Sequence, residues 1–129
     1  MGSMPLMAII VIAYNIIAFL TGPSLDAELF TVALISGANW GVAVSDALLS
    51  AGLVLLFLEL VSATRTGTTS IINHALSLIV LLVCLIEFIA LPAFGNSTFF
   101  LITLLVLLDV VAGFTVTITT ARRDFSVGE

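Results

Sequence analysis

The sequence predicts an all-α integral membrane protein: an antiparallel four-helix transmembrane bundle with a short extramembrane β-hairpin between helices 1 and 2. Three observations carry this. Four long apolar stretches divide the chain. Of its 129 residues 61% are hydrophobic, with a mean hydropathy of +1.36, and only 9% are charged, against about a quarter in soluble domains. The basic residues are Arg65, Arg122 and Arg123, confined to two of the gaps between stretches. A soluble core of this size needs a polar shell that the composition cannot supply, so lipid is the expected solvent for the surplus apolar surface. The length suits a single four-span membrane domain over residues 1–129, without a separate soluble domain.

Met1-Gly2-Ser3 ahead of Met4 reads as an expression remnant, with the natural start at Met4. The first stretch has neither a basic leader nor a small-residue cleavage pattern, so it is expected to be retained as a span, about 5–21. It is apolar except for Tyr14 and Asn15, and Thr21-Gly22-Pro23 stops it. The second span, about 46–64, opens on Ser45-Asp46 as a helix cap and closes at Thr64-Arg65-Thr66-Gly67. The third, about 71–91, follows Thr69-Ser70 and ends at Pro92. The fourth, about 97–120, is capped by Asn96 or Ser97 and stopped by Ala121-Arg122-Arg123-Asp124. Each reaches or approaches the roughly 20 residues that cross a bilayer. Short gaps between spans two and three, and three and four, imply antiparallel neighbours.

Between the first two spans, residues 29–44 alternate large and small. Phe30, Val32 and Leu34 interleave with Thr31 and Ala33, and Trp40, Val42 and Val44 with Asn39, Gly41 and Ala43. Period-two spacing around Ser36-Gly37 predicts a β-hairpin. The alternative is a short amphipathic helix begun by Ser24. The large-residue face is expected to rest on the bundle or the headgroups, with Trp40 at the interface. All three arginines fall on one side of four spans. That side is assigned to the cytoplasm, which places both termini there, while Asp26 and Glu28 face outward.

The net charge of -5, with no lysine, argues against nucleic acid, which needs basic contacts to phosphate. Cys84 stands alone inside a span and reads as a buried structural residue. Catalytic patterns are absent: no Ser/His/Asp set at one depth, no phosphate loop, no second histidine for haem. The chain is therefore expected to be no enzyme, with no cofactor and no metal.

Chemistry is left to a few intramembrane polar groups, each costing roughly 2.5–3.5 kcal/mol when charged at mid-span. Asp109 lies near the middle of span four, Glu87 in the outer third of span three and Glu59 in the inner third of span two. Counting rise per residue places Tyr14 and Asn15 level with Asp109, His74 level with Glu59, and Glu87 level with Asp46. Asp109, Gly113 and Thr117 form an i, i+4, i+8 seam suited to close helix contact. Gly52, Glu59 and Ser62 share a face of span two, and Asn73, Ser77, Cys84 and Glu87 a face of span three. Asp46 reads as a helix-start acid. The candidate proton, cation or polar-network residues are thus Asp109, Glu87, Asn15, Glu59 and His74. Hydrogen-bonded glue between helices is one expectation for them, and an exchangeable proton or cation the other.

Ala13-Tyr14-Asn15-Ile16-Ile17-Ala18-Phe19, Ala63-Thr64-Arg65-Thr66-Gly67 and Ala112-Gly113-Phe114-Thr115-Val116-Thr117, leading to Ala121-Arg122-Arg123-Asp124-Phe125, resemble a family of small four-span bacterial inner-membrane proteins. The resemblance covers nearly the whole chain. It implies a bacterial inner membrane and carries no activity. The expected function is that of a structural or accessory subunit, associating with itself or with a larger membrane protein partner in the lipid bilayer. The alternative is a homo-oligomeric channel or proton/cation-coupled small transporter using the intramembrane carboxylates.

Overall fold

A computed structural model describes residues 5–20, 25, 27–64 and 68–128, with the side chains of 68–70, 121 and 123–128 left aside. The expectations for Met1–Met4, Thr21–Ser24, Asp26, Arg65 and the loop around it lie outside the described residues. Among these residues the chain forms four α-helices and one hairpin: α1 (Met7–Leu20), β1 (Glu28–Ala33), β2 (Asn39–Ala43), α2 (Val44–Ser62), α3 (Thr68–Ala90), a 3₁₀ turn at Pro92–Phe94, and α4 (Ser97–Gly128).

The distribution of polarity is inverted relative to a soluble bundle. Glu59, His74, Ser77, Thr103, Asp109 and Thr117 are buried, while Leu53, Val54, Phe57, Ile79, Ile86 and Ile89 lie on the outside. Water would reverse that arrangement; a hydrocarbon surround favours it, because polar groups facing hydrocarbon find no partners and are driven into the protein. Among the described residues α2, α3 from Ile71 and α4 to Thr120 are long and apolar enough to cross a membrane. α1 has 14 residues, about 21 Å at 1.5 Å per residue, which falls short of a ~30 Å hydrocarbon core.

α4 is the central helix. Its apolar segment is 44% buried against 22% for α2 and for α3, and it packs along both, whereas α2 and α3 scarcely meet each other. Spans two and three are therefore not side-by-side neighbours as their short connection implies: α4 stands between them along most of their length. The ends of the bundle are the hairpin end, where α2 begins and α3 finishes, and the turn end, where α2 passes to α3.

The hairpin is antiparallel, pairing Phe30 with Val42 and Val32 with Trp40, which puts the large residues on one face. Leu34 N–H donates to Ala38 O at 2.8 Å and Gly37 N–H to Leu34 O at 3.0 Å. That is a three-residue loop, Ile35-Ser36-Gly37, whose last position must be left-handed. Gly37 supplies it with φ +94°. Of the large face only Val42 is buried; Phe30 and Trp40 stay half-exposed, so the hairpin leans on the bundle by its root alone.

Two boundaries differ from expectation. α2 starts at Val44, directly from the strand, because Asp46 accepts the Ala43 N–H at 2.9 Å and so caps a helix two residues longer than Ser45-Asp46 suggests. α4 runs on to Gly128 through Ala121-Arg122-Arg123-Asp124. Charges end an apolar run but not a helix, because arginine is a good helix former.

Candidate functional site

The buried polar groups gather in the half of the bundle nearer the turn end, where α2, α3, α4 and the start of α1 converge. Glu59, 3% exposed on α2, is the organiser. Its Oε1 accepts the Leu6 N–H at 3.0 Å, one of the orphan donors at the start of α1. Its Oε2 accepts Asn73 Nδ2 at 3.2 Å. Both oxygens thus hold donors, and one carboxylate ties α1 and α3 to α2.

On α3, Asn73, His74 and Ser77 turn into this pocket. Ser77 Oγ donates to Asn73 O, one turn back, at 3.1 Å. On α4, Asp109, Gly113 and Thr117 face α3. The Thr117 hydroxyl donates to Ala63 O at 2.9 Å, so its lone pair meets His74 Nε2 at 2.8 Å. That order of donation assigns the neutral imidazole's proton to Nε2. His74 Nδ1 is left as a buried acceptor with no donor. Gly113 makes room for the ring: a Cβ there would lie 2.8 Å from His74 Cε1 and 2.9 Å from Nδ1. Phe114 flanks the ring at 5.3 Å between centroids.

Asp109 completes the pocket. It is 1% exposed and lies within hydrogen-bonding reach of the Glu59 carboxyl and Ser77 Oγ. The Glu59 carboxyl already accepts two hydrogen bonds, and the Ser77 hydroxyl also reaches Asn73 O. Two carboxyls side by side in a buried pocket favour a proton shared between them. Among the described residues no three His, Cys, Asp or Glu side chains are arranged to hold a metal ion.

Towards the hairpin end the pocket is closed. Phe99, Ile102 and Val106 of α4 are fully buried, and Tyr14, Phe94 and Phe99 stack within 4.7–5.2 Å of one another. Tyr14 donates to Ala93 O at 2.9 Å and receives Asn96 Nδ2 at 2.7 Å, while Asn96 Oδ1 accepts the Phe99 N–H at 2.9 Å as the cap of α4. Tyr14→Phe removes the bond to Ala93 O and the acceptor for one Asn96 N–H, while Asn96 Nδ2 keeps Ala93 O at 3.2 Å. The expected loss is about 1–2 kcal/mol in detergent unfolding, with the helix content unchanged.

The expected site residues therefore separate. Glu59, His74 and Asp109 come together. Asn15 does not join Asp109: its Nδ2 bonds Val11 O at 2.8 Å and Glu87 Oε1 at 3.4 Å, in a second cluster near the hairpin end. Tyr14 likewise bonds Ala93 and Asn96 just before α4, more than three turns from Asp109. Asp46 is engaged in capping α2, and Ser62 is exposed rather than sharing the buried face of Gly52 and Glu59. Cys84 is a free, fully buried thiol. Sequence reasoning missed the Leu6 N–H, because a backbone donor leaves no trace in side-chain patterns. It also missed the Tyr14–Asn96 bond, which joins residues 82 positions apart.

Compared with known proteins, the chain matches no family model, and no curated protein or solved structure is similar to it.

Proposed function

We propose that the chain is a small multi-pass accessory subunit of a bacterial inner-membrane assembly, with both termini cytoplasmic, whose Glu59–Asp109 pair holds one exchangeable proton or cation. The observation that carries this is the surroundings of Asp109: fully buried and set against a second carboxyl, with the Ser77 hydroxyl alongside. Intramembrane acids of that kind serve ion and proton pathways more often than they serve packing. His74 Nδ1, an unused acceptor in the same pocket, offers the proton a second resting place. The aromatic cluster of Tyr14, Phe94 and Phe99 closes the pocket towards the hairpin end. Any passage across the bilayer then needs a second copy or a partner to supply the other half, which favours a subunit over a self-sufficient carrier. The reading assigns the chain no bond-making chemistry.

A purely structural reading is favoured by one separate observation, the close seating of His74 against Gly113, which suits tight helix packing. Asp109→Asn divides the two. Both readings keep the fold, with a stability change below about 1 kcal/mol. The proton reading expects the infrared carbonyl band of a protonated carboxylic acid in wild-type protein to vanish in Asp109→Asn. It also expects any pH-driven flux in liposomes to vanish with it. An unchanged infrared band in the variant would leave only the structural reading.

A further inference from the structure

A second feature lies outside the carboxyl pair and is independent of it. α1 and α3 diverge on the outer surface of the bundle and leave a groove of about 390 Å³ between them. Val11 and Ile12 line it from α1, and Ile79 and Val83 from α3; at one end stand Asn15 and Glu87. The lining is hydrocarbon except for that end. From Ile79 to Glu87 the wall extends about 12 Å at 1.5 Å per residue, within the ~15 Å that one leaflet contributes to a bilayer core.

Glu87 stands three residues before Ala90, the end of α3, and so at headgroup depth for a helix that crosses the membrane. It is partly exposed, and its one hydrogen-bond partner among the described residues is Asn15, at 3.4 Å. Among the described residues no base answers it: the chain has no lysine, and Arg122 lies in the final turns of α4, towards the opposite end. A half-buried carboxylate at the mouth of a hydrocarbon groove selects a cation carried on a hydrocarbon tail. The remaining lone pairs of Glu87 and the Asn15 carbonyl are acceptors, so they call for N–H donors. An ammonium with three N–H bonds fits; a quaternary ammonium has none, and an anionic headgroup is repelled.

We propose that this groove binds one aminophospholipid, a phosphatidylethanolamine, with its ammonium on Glu87 and Asn15 and part of an acyl chain laid along Val11, Ile12, Ile79 and Val83. The test is native mass spectrometry of the full chain in micelles. These would contain equal amounts of phosphatidylethanolamine, phosphatidylcholine and phosphatidylglycerol with identical acyl chains. The wild type is expected to retain one ethanolamine lipid per copy at about fivefold excess over either competitor. Glu87→Gln keeps the Asn15 contact and the shape but should bring the three lipids to parity. Val83→Trp fills the groove and should lower retention of all three. Asp109→Asn should leave the ratios untouched, separating this site from the buried pair. Parity among the lipids in the wild type would overturn the proposal, as would an ethanolamine preference that survives Glu87→Gln. A dimer that Val83→Trp dissociates without changing lipid retention would assign the groove to a second copy instead.

Discussion

Gly113→Ala is expected to destabilise the protein by about 1–3 kcal/mol, although alanine is the better helix former by nearly 1 kcal/mol. The added methyl would stand 2.8 Å from His74 Cε1. The ring cannot swing away cheaply, because Nε2 is held by Thr117 and Phe114 lies against its side. Relief therefore means losing the Thr117 bond or parting α3 from α4. Gly52 provides the control. A Cβ there meets Leu105 Cδ1 at 2.9 Å, but that atom is the free end of a flexible side chain, and the next neighbours are Ile10 carbons at 3.8 and 3.9 Å. Gly52→Ala should thus come close to neutral once the helix propensity is counted. Unfolding in a common detergent checks the pair, and equal effects at the two glycines would contradict the account of His74. Replacing His74 by serine should restore most of the loss in Gly113→Ala, because serine vacates the ring's place.

The second large effect is expected at Glu59. Glu59→Ala removes the acceptor for the Leu6 N–H and for Asn73 Nδ2 together. Two donors are stranded out of reach of bulk water, a loss of about 2–4 kcal/mol. Glu59→Gln keeps one oxygen and should recover about half of it. Amide hydrogen exchange locates the damage: exchange at Leu6 and through the first turns of α1 should quicken well before α4 responds. Protection of Leu6 that survives Glu59→Ala would mean that α1 is held by other contacts. The effect contrasts with the near-neutral Asp109→Asn, because asparagine keeps the shape and an oxygen at that position, whereas alanine removes both acceptors of Glu59.

The helices and the hairpin were legible because each rests on a local period. Apolar runs bounded by caps mark α2, α3 and α4, and the alternation around Ser36-Gly37 marks β1 and β2. The placing of His74 near Glu59 also came through, because both residues lie close to the short turn joining their helices. Depth counted along the chain failed for α1. The count assumes a helix that fills the membrane, and a 14-residue helix need not. Tyr14 accordingly reaches Ala93 and Asn96 rather than the level of Asp109. Lateral order failed as well. A short connection fixes where two helix ends meet, but not which third helix lies between them, so the central position of α4 had to come from packing. The pairing of Asp109 with Glu59 depends on that central position and could not be read without it.

The attachments of α1 bear on how the protein is made. The helix is too short to fill a membrane alone, and it is held at two points. The Leu6 N–H is fixed by Glu59 near one end, and the Tyr14 hydroxyl by Ala93 and Asn96 towards the other. Synthesis runs from N- to C-terminus, so neither clasp exists when α1 leaves the ribosome; the second must wait for the chain to pass Asn96. Until then α1 is held only by the Glu59 clasp and its packing on α2. Interruption of translation after α2 should therefore leave the Tyr14 end of α1 open to proteases, while passage of Asn96 locks it. α1 is made before every partner that holds it.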